Sequence, residues 1–108
     1  MFIAYEVSLD LVRSLRDVVP IIKKHDRDLA DQLHRAATSI VLNLAEGSRN
    51  TAGHQRMRFE SAHGSAAEVK AALAVADSWG WIAPAAPSLV ILDRLLALLW
   101  RLTHARRA

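Results

Sequence analysis

Residues 29–46 carry two stripes of side chains at helical spacing, whereas an ordinary amphipathic helix carries one. The apolar stripe predicts a face that packs into a core: Leu29, Leu33, Ala36, Ala37, Ile40, Val41 and Leu44. The narrower second stripe consists of hydrogen-bonding side chains: Gln32, Arg35, Ser39, Asn43 and Glu46. Such a stripe indicates that the helix meets another surface through specific polar contacts. We expect the helix to end at Gly47, which can adopt the left-handed conformation after the last turn.

Strand signals are almost absent from the rest of the chain, and three further helices are predicted. The first runs from about Ala4 to about Lys24, and Pro20 is expected to kink or divide it because proline lacks the backbone donor. The two-stripe helix is expected to start near Asp26 or Asp28, because acidic side chains favour a helix N-terminus.

The third predicted helix runs from about His54 to Trp79, and the fourth runs from a capping Ser88 to about His104. Gly80 and two prolines make the loop between them. Four helices joined by short loops predict an all-α protein, an antiparallel up-down-up-down four-helix bundle. At 108 residues, the chain suits a single domain over residues 1–108.

Glu68 lies on the third predicted helix, beside a core seam of alternating apolar residues: Phe59, Ala62, Ala66, Val69, Leu73 and Ala76. Because a lone buried carboxylate is costly, we predict that Glu68 pairs with Arg35 across two helices. Three hydroxyl and amide side chains are expected to complete this network: Ser39, Asn43 and Ser65. Gly64 is expected to let two helix backbones approach closely there. The alternative is that Glu68 lies at a solvated edge.

The fourth predicted helix is apolar around nearly its whole circumference: Leu89, Val90, Ile91, Leu92, Leu95, Leu96, Ala97, Leu98, Leu99, Trp100 and Leu102. A helix of this kind must be buried on more than one side. In so small a domain the additional cover is expected from another subunit, which predicts a homo-oligomer. Leu98→Glu or Leu99→Glu is expected to release monomers if this helix is the interface.

The composition favours a cytoplasmic protein without a membrane span. The chain has no cysteine, which excludes disulfides and thiolate chemistry and suits a reducing compartment. Its first 20 residues lack the layout of a signal peptide. Its longest apolar stretch, residues 82–100, is interrupted by Pro84, Pro87, Asp93 and Arg94.

Arginine is the main source of positive charge, with 11 Arg against 3 Lys and a net charge of +3. The candidate nucleic-acid-binding residues surround the loop between the second and third helices and end the chain: Arg49, Arg56, Arg58, Arg101, Arg106 and Arg107. A symmetric ring would multiply these patches and give salt-sensitive affinity for phosphates without base readout. The alternative is that these arginines form a solvated face.

No constellation of catalytic residues stands out, and no cofactor or metal site is predicted. A single Glu60-x-x-His63 falls short of a di-iron site, which needs two such motifs and two further carboxylates. The Arg-x4-His spacing of HEPN ribonucleases occurs at Arg49/His54 and Arg58/His63, but such spacings arise easily by chance. The tryptophans are predicted to be core and interface anchors, although Trp81, in a loop, has the alternative of an exposed stacking group.

Two groups of residues resemble those of a bacterial family, the four-helix-bundle proteins encoded in intervening sequences of 23S ribosomal RNA genes. The first group comes from the two-stripe helix: Arg35, Ser39, Asn43, Glu46 and Gly47. The second comes from the third helix: Phe59, Ala62, Gly64, Ser65 and Glu68. The accessory variability determinant of diversity-generating retroelements is similar to these proteins. The basic residue that follows the glycine in the family falls here at Arg49, after Ser48.

The resemblance implies a homopentameric ring of antiparallel four-helix bundles, with a basic surface that binds RNA or DNA. In the retroelement branch it also implies a reverse transcriptase as partner. It attaches no enzymatic activity, and it implies structural roles for the shared residues from Arg35 to Glu68. We therefore expect a non-enzymatic, homo-oligomeric, nucleic-acid-binding protein. A HEPN-type ribonuclease and a pure protein-interaction scaffold are the alternatives.

Overall fold

A computed structural model of the chain describes residues 2–83 and 87–104. Within these ranges the chain forms five helices and no strand: α1 (Ile3–Leu15), α2 (Val19–His25), α3 (Arg27–Gly47), α4 (Ala52–Ser78) and α5 (Pro87–His104). The all-α class predicted from the sequence is confirmed. α3 packs along α4, α5 packs against both α1 and α4, and α2 packs against α3.

The segment predicted as one first helix is divided into α1 and α2. Pro20 lies in the first turn of α2, where a backbone N–H would have no partner within the helix. The turn before it is closed by the Val18 N–H, which donates to the Leu15 carbonyl at 3.1 Å. Asp26 then caps α3, because its carboxylate accepts a hydrogen bond from the Leu29 N–H at 2.9 Å. The predicted start of this helix is therefore confirmed at Asp26.

The core is built from the apolar faces that helical spacing predicts. Every member of the predicted α4 seam is buried: Phe59, Ala62, Ala66, Val69, Leu73 and Ala76. The α3 stripe is buried at five positions and half-buried at Leu29 and Val41. Three leucines of α5 are fully buried against these faces: Leu92, Leu95 and Leu99.

The sequence of α5 is apolar on almost every side, but only some of its apolar side chains are exposed in the protomer. Leu99 is 0 % exposed, so Leu99→Glu would place a charge in the core and would not test an interface. Leu98 is half-buried, while Val90 and Trp100 are 74 % and 55 % exposed. The uncovered apolar surface of α5 is therefore at Val90 and Trp100.

The sequence predicts that Ser88 caps α5, and this prediction was wrong. The helix already includes Pro87, and Ser88 is fully buried within its first turn. Its hydroxyl shares a 2.9 Å hydrogen bond with the Ser14 hydroxyl, which satisfies its polar group in the core and joins α5 to α1.

Gly47 is required for close packing, and the left-handed conformation predicted for it was wrong. Among the described residues only Gly80 has a positive φ, at 78°. Gly47 is the last residue of α3, and a Cβ added there would lie 2.8 Å from Cε1 of the buried Phe59. Gly64, in contrast, has no atom within 4 Å of an added Cβ, so the predicted close approach of two helices there is also wrong within one protomer.

We expect Gly47→Ala to lower the free energy of unfolding by about 1–3 kcal/mol, because the buried Phe59 ring has little room to move. Gly64→Ala is the matched control in the open interior of α4 and should raise it by up to about 1 kcal/mol through helix propensity. Urea unfolding followed by circular dichroism at one fixed protein concentration measures both. Equal effects of the two substitutions would contradict the close packing at Gly47.

Candidate nucleic-acid interface

The polar stripe of α3 borders an open groove beside the first half of α4. The groove has a volume of about 440 Å³ and is lined by His34, Arg35, Thr38, Ser39, Leu42, Asn43, Glu46 and Arg58. All but one of these residues come from α3, where spacings of three and four residues place them on one side of the helix. Arg58 is the contribution of α4.

Ser39 accepts several hydrogen bonds beside this groove, and one of them joins α4 to α3. The Asn43 amide donates to the Ser39 carbonyl at 2.9 Å and to the Ser39 hydroxyl at 3.0 Å. The Ser65 hydroxyl of α4 also donates to the Ser39 hydroxyl at 3.0 Å. The predicted network among Ser39, Asn43 and Ser65 is therefore confirmed. Because the Ser39 oxygen accepts both bonds, its own proton is left for another acceptor.

Arg58 is held at the edge of the groove by the same network. Its Nη1 donates to the Asn43 Oδ1 at 3.4 Å, a long bond that uses one of the five guanidinium donors. Within the described part of the chain no carboxylate forms an ion pair with Arg35 or Arg58. Glu46 also lines the groove and is exposed. Two guanidinium groups therefore face one carboxylate, and the groove carries net positive charge.

The predicted ion pair between Arg35 and Glu68 is wrong. Both side chains are exposed, and no salt bridge joins them. Arg35 lines the groove, whereas Glu68 lies in a separate shallow cleft with Leu29 and Gln32. Water solvates both charges, so neither incurs the desolvation cost that a buried pair would have to offset. The alternative of a solvated Glu68 is the one that the structure adopts.

The candidate arginines do not form one patch. Arg56 lies only two residues from Arg58 but faces α5, where it lines a cleft of about 200 Å³ with Glu60, His63, Thr103 and His104. Its Nε donates to the Glu60 carboxylate at 3.2 Å, which offsets its charge.

Arg49 and Arg101 lie apart from the groove lining. Arg49 is exposed in the turn that follows α3, and Arg101 is exposed in the last turn of α5. Arg106 and Arg107 lie outside the described residues. The groove thus brings together Arg58, which was predicted to bind nucleic acid, and Arg35, which was predicted to have a structural role.

The spacings that suggested catalysis do not produce a shared site. Arg58 and His63 line different clefts on different sides of α4, so this Arg-x4-His pair is divided. Within residues 2–83 and 87–104 no group of three histidine, cysteine, aspartate or glutamate side chains is placed to hold a metal ion. In the same ranges, none of the helices has the length and apolar character needed to cross a membrane.

Two residues of the site were missed by sequence reasoning. His34 adds an imidazole ring beside Arg35, and its four-residue spacing from Thr38 was a usable signal. Gln55 donates from Nε2 to the Gly47 carbonyl at 3.1 Å, which satisfies a terminal carbonyl of α3 and ties it to the first turn of α4. Arg58 follows in the next turn, so this contact helps to position it.

Comparison with known proteins returns one family. The family model described as 23S rRNA-intervening sequence protein matches residues 2–90, which include α1 to α4 and the first turn of α5. No curated protein and no solved structure matches the chain.

We expect Ser65→Ala to cost about 0.5–1.5 kcal/mol of unfolding free energy, because it removes the hydrogen bond between α3 and α4. Glu68→Gln, three residues further along the same helix, should change that free energy by less than about 0.5 kcal/mol because the carboxylate is solvated. Urea unfolding of both variants measures the difference. A larger loss for Glu68→Gln than for Ser65→Ala would contradict this geometry.

Proposed function

We propose, because this chain belongs to the 23S rRNA-intervening sequence protein family, that it is a non-enzymatic nucleic-acid-binding protein that works as a homopentamer. In this proposal α1 and α2 together take the place of one helix of an antiparallel four-helix bundle. The observation that carries the proposal is the groove in which Arg35 and Arg58 lie without an ion-pair partner among the described residues. The absence of cysteine supports a cytoplasmic location.

The chemistry of the groove suits the phosphates of RNA or DNA. Two guanidinium groups present planar arrays of N–H donors that match phosphate oxygens. The Ser39 hydroxyl and the Thr38 hydroxyl add donors on the same side of α3. These groups contact a backbone and not the edges of bases, so the proposed binding depends on charge and shape more than on sequence.

Assembly into a ring supports the same function, because it repeats each groove around one axis. Uncovered apolar side chains favour such an assembly: Val90 and Trp100 on α5 are 74 % and 55 % exposed. Several grooves that contact one polyanion raise its affinity above that of a single groove. The assembled ring would also serve as an accessory to a nucleic-acid enzyme such as a reverse transcriptase.

The double substitution Arg35→Gln/Arg58→Gln tests the groove. We expect the wild-type protein to bind structured RNA and DNA with micromolar or tighter affinity that weakens steeply with salt. The variant should bind more weakly, and the slope of log K against log salt should become shallower by about one for each phosphate that the variant no longer binds. Fluorescence anisotropy at several salt concentrations measures both quantities.

Arg13→Gln is the control for each single groove substitution, Arg35→Gln and Arg58→Gln, because Arg13 is an exposed arginine of α1 that pairs with Asp10 at 2.9 Å. Like each of them it removes one charge, but it does not alter the groove. If the wild-type protein binds no nucleic acid even at low salt, the proposal fails and a protein-interaction scaffold replaces it. If Arg13→Gln weakens binding as much as either single groove substitution does, net charge and not the groove would account for the affinity.

Val90→Glu tests the assembly. Because Val90 is exposed in the protomer, a glutamate there should preserve folding while it places charges in an interface formed by α5. Light scattering after size exclusion should show a fall from five times the 11.9 kDa protomer mass toward a single protomer. Ile21→Glu, on the exposed part of α2, is the control and should leave the mass unchanged. An unchanged mass for Val90→Glu would place the interface elsewhere.

A further inference from the structure

Three aromatic rings stack at the end of the molecule where α2 and α4 terminate. The ring centroids of Trp79 and Trp81 are 6.0 Å apart with an angle of 13° between planes. The His25 ring stacks on Trp81 at 5.0 Å and 5°. We refer to His25, Trp81 and Trp79 as the aromatic stack. Trp81 is half-buried, whereas Trp79 is 70 % exposed.

The backbone that follows α4 holds the two tryptophans in this arrangement. Gly80 takes the left-handed conformation, with φ of 78°, and its N–H donates to the Asp77 carbonyl at 2.8 Å. The Trp81 N–H reaches back to the Ala76 carbonyl at 2.9 Å. These two bonds close a Schellman motif, which satisfies the last carbonyls of α4. The position of Trp79 is therefore set by a capped helix end and not by a free loop.

The exposure of Trp79 is not explained by packing within the protomer. An indole left mostly in water forgoes the hydrophobic stabilisation that its burial would provide. The Trp79 ring is nevertheless stacked on Trp81 while most of its surface is open to solvent, and a planar ligand requires such an exposed aromatic surface.

The charges near the aromatic stack favour a ligand that carries phosphates. Lys23 and Lys24 are exposed in the last turn of α2, directly before His25. Asp26, the nearest acidic residue in sequence, is half-buried and its carboxylate caps α3. Two further carboxylates lie close to the stack in sequence, the half-buried Asp77 of α4 and the exposed Asp28 in the first turn of α3. The exposed Arg27 beside Asp28 adds a positive charge. Two exposed ammonium groups thus accompany an exposed aromatic face.

We propose that the aromatic stack binds an unpaired base of a single-stranded nucleic acid, which extends the stack on Trp79 while Lys23 and Lys24 contact the flanking phosphates. The proposal rests on the proposed function in that it takes nucleic acid as the ligand, but the site is a different one. Trp79 lies 21 residues beyond Arg58, or about 30 Å along α4. Bases inside a duplex are covered by their neighbours, so this site selects single strands.

Trp79→Ala provides the test, with Met57→Ala as the control. Met57 is also an exposed apolar residue of α4, 54 % exposed, and it belongs neither to the aromatic stack nor to the groove lining. The probes are a fluorescent single strand of about 12 nucleotides and a blunt duplex of the same sequence. We expect Trp79→Ala to weaken single-strand binding about 5- to 150-fold while changing duplex binding less than about twofold. Met57→Ala should change neither, and Trp79→Phe should retain most of the single-strand affinity because it keeps a stacking ring.

Four other outcomes overturn the proposal. Unchanged single-strand binding in Trp79→Ala, together with weaker binding in Arg35→Gln/Arg58→Gln, would remove the stacking site and leave the groove as the binding site. Equal losses for single strand and duplex would exclude selection by base stacking. A lower molar mass for Trp79→Ala would make the stack a contact between copies of this chain. Failure of the wild-type protein to bind either probe would remove this proposal and the proposed function together.

Discussion

The close contact between Gly47 and Phe59 is the constraint on which the α3–α4 pair depends. With no side chain at Gly47, the Phe59 ring can occupy the space that a Cβ would need, only 2.8 Å from its Cε1. This contact and the Gln55–Gly47 hydrogen bond bring the first turns of α4 against the end of α3. Arg58 immediately precedes Phe59 in the chain, so burial of the ring directs the guanidinium toward the groove. Packing at one glycine therefore positions a charge that the proposed function needs.

The polar contact between α3 and α4 uses neutral groups, and this choice has a functional consequence. Ser39 accepts hydrogen bonds from Asn43 and Ser65 at 2.9–3.0 Å, so the two helices meet without burying a charge. A buried ion pair would have required desolvation of both partners and would have neutralised Arg35. Because Arg35 stays solvated, its charge is available to a ligand outside the protomer. Structural specificity and surface charge are thus supplied by different residues of one stripe.

The two proposed sites address different parts of a nucleic acid and lie near opposite ends of α4. The groove presents guanidinium and hydroxyl donors, which suit phosphates in any sequence. The aromatic stack presents the face of Trp79, which suits a base only when that base is unpaired. A structured RNA with loops and stems contains both features. Contacts at both sites would favour such a molecule over a uniform duplex, since each site adds to the total affinity.

Helical periodicity in the sequence determined the all-α class and the buried seam from Phe59 to Ala76, and an acidic residue before α3 indicated the cap at Asp26, because these features depend on residues close along one helix. The family was indicated by resemblance, through the motif residues between Arg35 and Glu68. The hydrogen-bonding stripe of α3 also predicted the Ser39–Asn43–Ser65 network. Only the tertiary structure decided which neighbouring helix or cleft each long side chain contacts. It separated Arg35 from Glu68 and Arg56 from Arg58, and it gave Gly47 a packing role. It also brought His25 to Trp81, a contact between residues 56 positions apart. Such choices depend on how two helices fit together and on which charges remain in water, and neither is encoded in the spacing of one helix.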